Sequence, residues 1–559
     1  MNFKKELADF AEAQENEILV SPKSEMGDFC LPCFQYAKIE HKPPDVIANE
    51  LKEKLFLKKN FLVDRIETIG GYLNFFLNKK MVAKKVLETK TDFDFEYKNY
   101  GIGKTVCIDY CSANLAKYLH IGHMSTTMIG ESLHRIYSAL GYKVVRINYL
   151  GDYGTPFGKM VVAIGLWGNI DDIKKNGIDA IQDLYVKFSS NETEELMEKA
   201  RYASKCIEEK MGEEYEIYKI IIDISIKECK RIINLIGIEF DDWRGESFYD
   251  SQIEKQLREV ESSGISREDS DGSVVVDLGI ENLPEKVVKR SDGGSTYIIR
   301  DLCAVQDRFD RYTFDEMLYV VAVQQKLHFE QLFRICSMLN KPYASRLHHI
   351  SFGMFSTPEG KIASRRGKQA IFVDIFNTAL DKAKEVIKDK EFKFESKTNV
   401  AKQVALGAIA FSILKVERNK DKVFDLQSAI SFDGETAPYL QYTYARCCSL
   451  LRKFDVMEKT NTGSTEKLEH IYETYFEIFK ICNSFDQVIL SSKEKAEPCF
   501  IARELLNLAQ VFNKFYNEVK ILDNDNYNLS EKLIQIVKMV KNLFEFTLPL
   551  VMVYPVSEM

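Results

Sequence analysis

Two histidines flank a glycine in the segment His120-Ile-Gly-His123, which follows the stretch Tyr110–Lys117. Residues 105–110 carry the apolar pattern of a short core strand, and apolar residues after His123 recur at helical spacing up to Gly141. Imidazole N–H groups and the free backbone N–H groups of a first helical turn suit phosphate, and glycine lets a nucleotide approach the backbone. The pattern therefore predicts a nucleotide-phosphate site at a strand-to-helix junction. The alternative is that two histidines cap an ordinary helix.

A tyrosine and a carboxylate form a second candidate site. Tyr297 and Asp301 are four residues apart, so a helix would place both on one face. A carboxylate pairs bidentately with guanidinium, which makes this pair suited to a cationic ligand. The alternative is a helix N-terminal acid next to a core tyrosine. Gln325 follows the predicted strand Met317–Val323 and emerges at its carboxyl end, the ligand edge of an open α/β sheet.

Two loops are rich in glycine. Gly151–Gly158 follows the predicted strand Lys143–Asn148 and would lie at the same edge of the sheet, although it could be a turn and nothing more. The loop at 360–368 carries a cluster of cations, which suits the neutralisation of a leaving polyphosphate, but a solvated surface loop would have the same composition. Cys30 and Cys33 form a lone Cys-x-x-Cys, which predicts packing cysteines rather than zinc ligands.

Composition limits the class of protein. The chain has 559 residues and a net charge of −8, which argues against bulk polyanion binding but leaves room for local basic faces that bind RNA. Its 12 cysteines are scattered, as expected in a reducing compartment. The start of the chain is charged and no apolar run reaches membrane-spanning length, so we expect a cytoplasmic protein without membrane contact.

The predicted helices and strands that carry these residues indicate an α/β protein. Strand–helix alternation from Thr105 onward predicts a Rossmann-type nucleotide-binding core, interrupted by a helical insertion at about 165–245. Residues 1–90 have the mixed pattern of a small α+β domain. From Ile375 onward the pattern is helical with few breakers, and residues 435–559, which begin at a joint at Gly434–Pro438, predict an all-α bundle.

Motifs in a fixed order resemble those of the class I aminoacyl-tRNA synthetases, and among them the arginyl-tRNA synthetases. The first is His120-Ile-Gly-His123 with Ser112-Ala-Asn-Leu-Ala-Lys117 before it. The further blocks are Gly151–Thr155, Asp292–Asp301, Val320–Phe329 and Glu435–Arg446. The resemblance covers essentially the whole chain. It implies a tRNA-core-binding domain at 1–90, a class I catalytic domain at 91–430 with its signature loop at 360–368, and an anticodon-binding domain at 431–559.

The resemblance also implies an activity. L-arginine would react with ATP, with Mg²⁺ as counter-ion, to give arginyl-adenylate and pyrophosphate, and arginine would then pass to the 3′ end of its tRNA. No tightly bound protein metal is implied, and a monomer is expected. The residues implied to be catalytic are His120, His123, Lys117, Lys361 and Arg365, and those implied to bind ATP are His120, Gly122, His123 and Lys361. The residues implied to bind arginine are Asp109, Ser112, Asn114, His123, Tyr297, Asp301 and Gln325. Those implied to bind tRNA are Asn74, Tyr439 and Arg446.

Three positions depart from the family pattern. Ser364 stands where the second signature usually has its second lysine, and Lys117 is the residue that the resemblance implies as its substitute. Ala113 replaces a usual proline, and Pro156 replaces a usual glutamine. The resemblance further implies that tRNA must be bound before arginine is activated.

Two other functions remain compatible with the motifs. A small-molecule nucleotidyltransferase could use the same histidine pair without RNA, although the extra terminal domains argue against it. A catalytically inert RNA-binding protein derived from a synthetase is the second alternative, and the intact His120, His123, Asn114 and Asp301 argue against it.

Overall fold

The structure is a computed structural model that describes residues 2–58, 60–356, 371–459 and 462–559. Lys361, Arg365 and the rest of the 360–368 loop therefore lie outside the described residues. Short 3₁₀ helices connect several elements, at Glu15–Glu17, Ser24–Met26, Glu246–Gln252, Val323–Gln325, Ala344–Arg346 and Leu548–Val551.

The N-terminal region is a four-stranded antiparallel sheet covered by helices. Its strands are β1 (Leu19–Val20), β2 (Phe29–Pro32), β3 (Val63–Ile69) and β4 (Tyr72–Leu77), in the order β1-β2-β4-β3. Its helices are α1 (Phe3–Ala11), α2 (Phe34–Glu40) and α3 (Pro44–Phe56), and α4 (Lys79–Lys90) leads out of it. Gly70 and Gly71 join β3 to β4 with φ of +57° and +78°, which matches a tight hairpin turn that favours glycine. Cys30 and Cys33 are both buried and free, as expected of packing cysteines.

A parallel sheet forms the core of the central region. Its strands are β5 (Thr105–Asp109), β6 (Lys143–Ile147), β10 (Glu316–Tyr319) and β11 (Leu347–His349), and their order in the sheet is β11-β10-β5-β6. Helix α5 (Ile121–Ala139) connects β5 to β6, so the expected strand–helix–strand unit is present. Strand β10 ends four residues before the predicted Val323, because the chain turns there into a 3₁₀ helix and then α13 (Lys326–Met338).

Helices interrupt this core where the sequence predicts an insertion. They are α6 (Thr155–Trp167), α7 (Ile170–Asn176), α8 (Ile178–Ser190), α9 (Glu194–Glu208) and α10 (Gly212–Leu235). After α11 (Ile253–Ser262), the strands β7 (Ser266–Glu268), β8 (Val274–Val276) and β9 (Lys286–Lys289) form an antiparallel sheet ahead of α12 (Tyr297–Tyr312). The core closes with β12 (Phe355–Ser356), α14 (Phe372–Val386), α15 (Lys397–Leu414), β13 (Lys422–Val423) and α16 (Leu426–Ala429).

The C-terminal region is the predicted helical bundle. Its helices are α17 (Ala437–Asp455), α18 (Leu468–Thr474), α19 (Phe476–Glu494), α20 (Cys499–Glu518) and α21 (Tyr527–Thr547). The last residues of the chain pack onto α5, where Arg135 donates to Pro549 O (3.0 Å) and to Tyr554 Oη (2.7 Å). The bundle therefore contacts the helix that begins next to His120. Among the described residues, no helix is both long and apolar enough to cross a membrane.

Candidate active site

The two signature histidines are held in place by backbone donors. His120 caps α5, and its Nδ1 accepts from Gly122 N (3.1 Å), while His123 Nδ1 accepts from His120 N (3.2 Å). An imidazole that accepts at Nδ1 carries its proton at Nε2 when neutral, so each ring offers an Nε2–H donor. Burial lowers the pKa of His123 to about 3, and burial followed by the charge of Lys117 lowers the pKa of His120. Both rings are therefore neutral donors at pH 7.

These histidines line a cavity of about 630 Å³ at the carboxyl end of the sheet. Its walls are the loop after β5, the first turn of α5, the residues that follow β10, and residues 352–356. A Cβ at Gly122 would lie 2.9 Å from His120 Cε1, so only glycine allows the imidazole to fold back over this turn. A larger cavity, of about 710 Å³, lies beyond Tyr118 against the helical insertion, but it contains none of the predicted site residues. The predicted residues His120, Gly122, His123, Ser112, Asn114 and Gln325 thus line one cavity, called the histidine cavity below.

The loop after β5 is strained and is fixed by its neighbours. Cys111 and Ser112 have φ of +69° and +44°, which is uncommon for residues other than glycine. Asn114 pairs with Gly151, where a Cβ would lie 2.3 Å from Asn114 Oδ1. The glycine-rich loop after β6 is thus more than a turn, because Gly151 makes room for the side chain of Asn114. Pro156 lies in the first turn of α6, a position that suits proline.

Asp109 lies behind the cavity rather than on its wall. The resemblance places this residue in the arginine pocket, but its side chain is almost fully buried and both carboxylate oxygens are already engaged. Oδ2 is 2.9 Å from Nη1 of the buried Arg308, and Oδ1 accepts from Ser112 Oγ at 2.8 Å. Asp109 therefore contacts Ser112, which itself lines the cavity, and is not among the residues that line it.

Helix α12 brings Tyr297 and Asp301 to the edge of the sheet. Tyr297 is the first residue of the helix and its side chain is 63% exposed, with its hydroxyl next to Gly154. Asp301 lies one turn later, and its Oδ2 is 2.7 Å from His328 Nε2 on α13. Gln325 is exposed in the preceding 3₁₀ helix and lines the histidine cavity. The structure thus brings the predicted arginine-binding residues to one end of the sheet.

Glu246 is an acid that the sequence analysis missed. It follows Gly245, whose backbone pairs with Leu150 at the edge of the sheet, and the described residues offer its side chain no hydrogen bond or ion pair. Burial, and then the nearby carboxylates of Asp301 and Asp152, raise the pKa of Glu246 to about 8. The sequence signal was an acid just after the insertion, in a segment that no predicted element included. Asp152 differs from Glu246, because its two oxygens accept from Ser247 N (2.8 Å) and Ser247 Oγ (2.7 Å).

Other predicted residues lie away from this cavity. Lys117 is exposed, and its Nζ lies 5.6 Å from the ring centroid of Tyr185 on α8. Asn74 is 2% exposed within the N-terminal sheet and its amide donates to Tyr72 O (3.4 Å), which leaves little of it for RNA in this conformation. Among the described residues, no group of three or more His, Cys, Asp or Glu side chains could hold a metal ion.

Tyr439 and Arg446 share a different cavity in the helical bundle, of about 510 Å³. Arg446 Nη1 donates to Asn513 Oδ1 (2.7 Å), and its guanidinium carbon is 4.5 Å from the ring centroid of Tyr442 and 4.7 Å from that of Tyr516. A cation held between aromatic rings is a surface on which a nucleic-acid base can stack.

Comparisons with known proteins assign each region to a family. Residues 85–426 match the catalytic domain of the class I (R) tRNA synthetases. Residues 1–77 match the arginyl-tRNA synthetase N-terminal domain, and residues 440–559 match the DALR anticodon-binding domain.

Individual relatives agree with these matches over nearly the full length. The arginine–tRNA ligase of Halothermothrix orenii is 39% identical over 538 residues, which cover 94% of each chain. That of Clostridium perfringens is 38% identical over 549 residues, covering 98% of this chain and 96% of the relative. The solved arginyl-tRNA synthetase of Thermus thermophilus covers 100% of both chains with a TM-score of 0.80 and 23% identity, and it shares the fold. The chain therefore belongs to the arginyl-tRNA synthetases, the class I family of arginine–tRNA ligases.

Proposed function

We propose that this arginine–tRNA ligase activates L-arginine with ATP in the histidine cavity and then transfers arginine to the 3′ end of its tRNA. The observation that carries the proposal is the pair of neutral Nε2–H donors, held by backbone N–H groups at the start of α5. Ser112 and Asn114 line the same cavity. Behind Ser112, burial and also the charge of the nearby Asp301 raise the pKa of Asp109. Donors for phosphate and the acids Asp301 and Glu246 thus lie near the same end of the sheet.

Activation needs little acid–base chemistry from the protein. The carboxylate of arginine attacks the α-phosphorus of ATP, a new O–P bond forms, and the bond to pyrophosphate breaks. Negative charge builds on the phosphoryl oxygens and the leaving group. His120 and His123 would stabilise that charge by donating from Nε2, and they need not reorient because their rings are already fixed.

Arginine would be selected by its two positive charges. Asp301 Oδ1 accepts no hydrogen bond from any described residue, so it is free for a guanidinium N–H, and Tyr297 lies one turn before it on α12. Glu246 is a second, partly buried acid to which no described residue offers a hydrogen bond or ion pair, and it suits the other cation of the substrate. Lysine would be rejected because guanidinium is planar and presents several N–H donors in fixed directions, whereas an ammonium group is a compact point charge.

Magnesium would arrive with ATP as the counter-ion of its phosphates. Mg²⁺ commonly binds through substrate phosphates and water rather than through an all-protein cage. The described residues contain no cluster of ligands that would bind it without the nucleotide, so we assign it no step of its own.

Binding of tRNA would use the terminal regions. The proposed domains are a tRNA-core-binding domain at 1–90 with Asn74, a catalytic domain at 91–430, and an anticodon-binding domain at 431–559. In the last of these, the cavity around Tyr439 and Arg446 has the basic and aromatic character that suits an unstacked base. A monomeric state and a cytoplasmic location remain predictions.

The test is exchange of labelled pyrophosphate into ATP with each of the twenty amino acids, run with and without total tRNA. We expect exchange with arginine and with no other amino acid, and only when tRNA is present. Exchange with another small molecule and no dependence on arginine would support the nucleotidyltransferase alternative, which the matches at 1–77 and 440–559 disfavour. No exchange and no aminoacylation under any condition would support the inert RNA-binding alternative.

A further inference from the structure

Asp301 has a partner that the sequence motifs do not assign. Its Oδ2 lies 2.7 Å from Nε2 of His328, which is on the first turn of α13. The two side chains are only 23% and 21% exposed, so water does not readily compete for this contact. Oδ1 of the same carboxylate accepts no hydrogen bond from any described residue. The pair thus has one oxygen held by the protein and one oxygen available to a ligand.

A carboxylate needs such a support to recognise guanidinium. The torsion that rotates an aspartate carboxylate is broad, so a free Asp301 would sample many orientations of its oxygens. A planar guanidinium donates in fixed directions, so an acceptor oxygen held in one position distinguishes it from an ammonium group. One hydrogen bond at Oδ2 restricts the rotation and leaves Oδ1 in a defined position.

The type of residue at 328 fits this purpose. A lysine or arginine there would add a permanent positive charge next to Asp301 and would compete with the cationic substrate. A histidine there can donate the same hydrogen bond from Nε2 without carrying a permanent charge. The ring is itself supported, because its centroid lies 5.4 Å from that of Phe329, which packs in turn against Tyr319.

We propose that His328 is a positioning residue for arginine: it holds Oδ2 of Asp301 so that Oδ1 faces the guanidinium group in a fixed orientation. The inference rests on the proposed role of Asp301 and adds to it the residue that sets the geometry of that pocket. His328 acts through Asp301 and makes no contact with the reacting atoms.

The test compares three variants in pyrophosphate exchange with tRNA present. His328→Ala should raise the KM for arginine about tenfold, since a hydrogen bond to a charged group is lost, while kcat and the KM for ATP change less than about twofold. His328→Gln places an N–H donor near the same position and should return the KM for arginine most of the way to the wild-type value. His348→Ala is the matched control, because His348 is exposed on the neighbouring strand β11 and no hydrogen bond to Asp301 depends on it.

The outcomes that would contradict the role of His328 differ from those that would contradict the proposed arginine pocket at Asp301. A common rise in KM for arginine and ATP in His328→Ala, or no rescue by glutamine at unchanged thermal stability, would show a merely structural role. An unchanged arginine KM in His328→Ala would also overturn it. In an Asp301→Asn background, His328→Ala should add less than about twofold, because contacting residues that act together are not additive. If Asp301→Asn by itself leaves the arginine KM unchanged, the proposed pocket is misplaced whatever His328 does.

Discussion

The histidine cavity and the acidic arginine pocket adjoin each other but are built in opposite ways. The histidines come from one short segment, are neutral, and have their rings fixed by backbone N–H groups within that segment. The acids Glu246 and Asp301 come from segments more than fifty residues apart in sequence, and burial together with the charge of Asp301 raises the pKa of Glu246. The first site is therefore preorganised for a transition state, whereas the second is completed only when a cation enters it.

The largest effect should come from the preorganised side. We expect His123→Ala to lower the rate of arginine activation by about a thousandfold, because one donor to the developing phosphoryl charge is removed. The rate should fall by a larger factor than the KM for arginine rises, since His123 donates mainly in the transition state although it is also among the residues implied to bind arginine. Single-turnover adenylate formation with tRNA present measures the rate, and circular dichroism checks the fold. Wild-type turnover in this variant would show that the histidines do no more than cap the helix.

The acidic side should instead respond in substrate binding. Asp301→Asn removes the charge but keeps the shape, and we expect the KM for arginine to rise about a hundredfold, near the low end of the cost of losing one member of a charge pair. The KM for ATP should stay near its starting value. Steady-state exchange at varied arginine and then at varied ATP separates the two. If both constants rose together, the two sites would not differ in the way proposed.

A pH titration tests whether the empty pocket holds a protonated acid. Burial and the facing Asp301 and Asp152 raise the pKa of Glu246 to about 8, with Arg300 acting in the opposite direction. The arginine cation favours the ionised carboxylate, so below pH 8 a proton must leave on binding, and the KM for arginine should fall as pH rises. Between pH 6.5 and 8 we expect a fall of about tenfold in the wild type. Glu246→Gln should bind arginine more weakly, with a KM nearly independent of pH over this range. A wild-type KM that is flat with pH would contradict the raised pKa.

The smallest effect should arise far from both sites. We expect Arg446→Gln to raise the KM for tRNA about fivefold, because the stacked cation between Tyr442 and Tyr516 is lost. At saturating tRNA the KM for arginine should be unchanged. Aminoacylation at varied tRNA and varied salt provides the measurement. An altered arginine KM at saturating tRNA would show that this cavity acts on the active site rather than on RNA alone.

Local chemistry made much of the fold and of the histidine site predictable. Positions such as Gly122 and the hairpin glycines Gly70 and Gly71 can be inferred from sequence, because their requirement is set by atoms a few residues away. The end of β10 was predicted four residues late, since an apolar run cannot show where the chain turns into a 3₁₀ helix. The apolar pattern indicates which residues are buried, but the residue at which a strand ends depends on where the next element begins.

The sequence by itself determined the order of the elements, the donor pair at the start of α5 and, through its ordered motifs, the family. Only the tertiary structure decided which acids are free for a ligand. In the sequence, Asp109, Asp152 and Glu246 are simply three acids. In the structure, Arg308 pairs with Asp109 and Ser247 donates to Asp152, whereas Glu246 has no partner among the described residues. The reason is physical: the state of a buried carboxylate depends on desolvation and on charges that distant segments bring within a few ångströms. No local pattern encodes that arrangement.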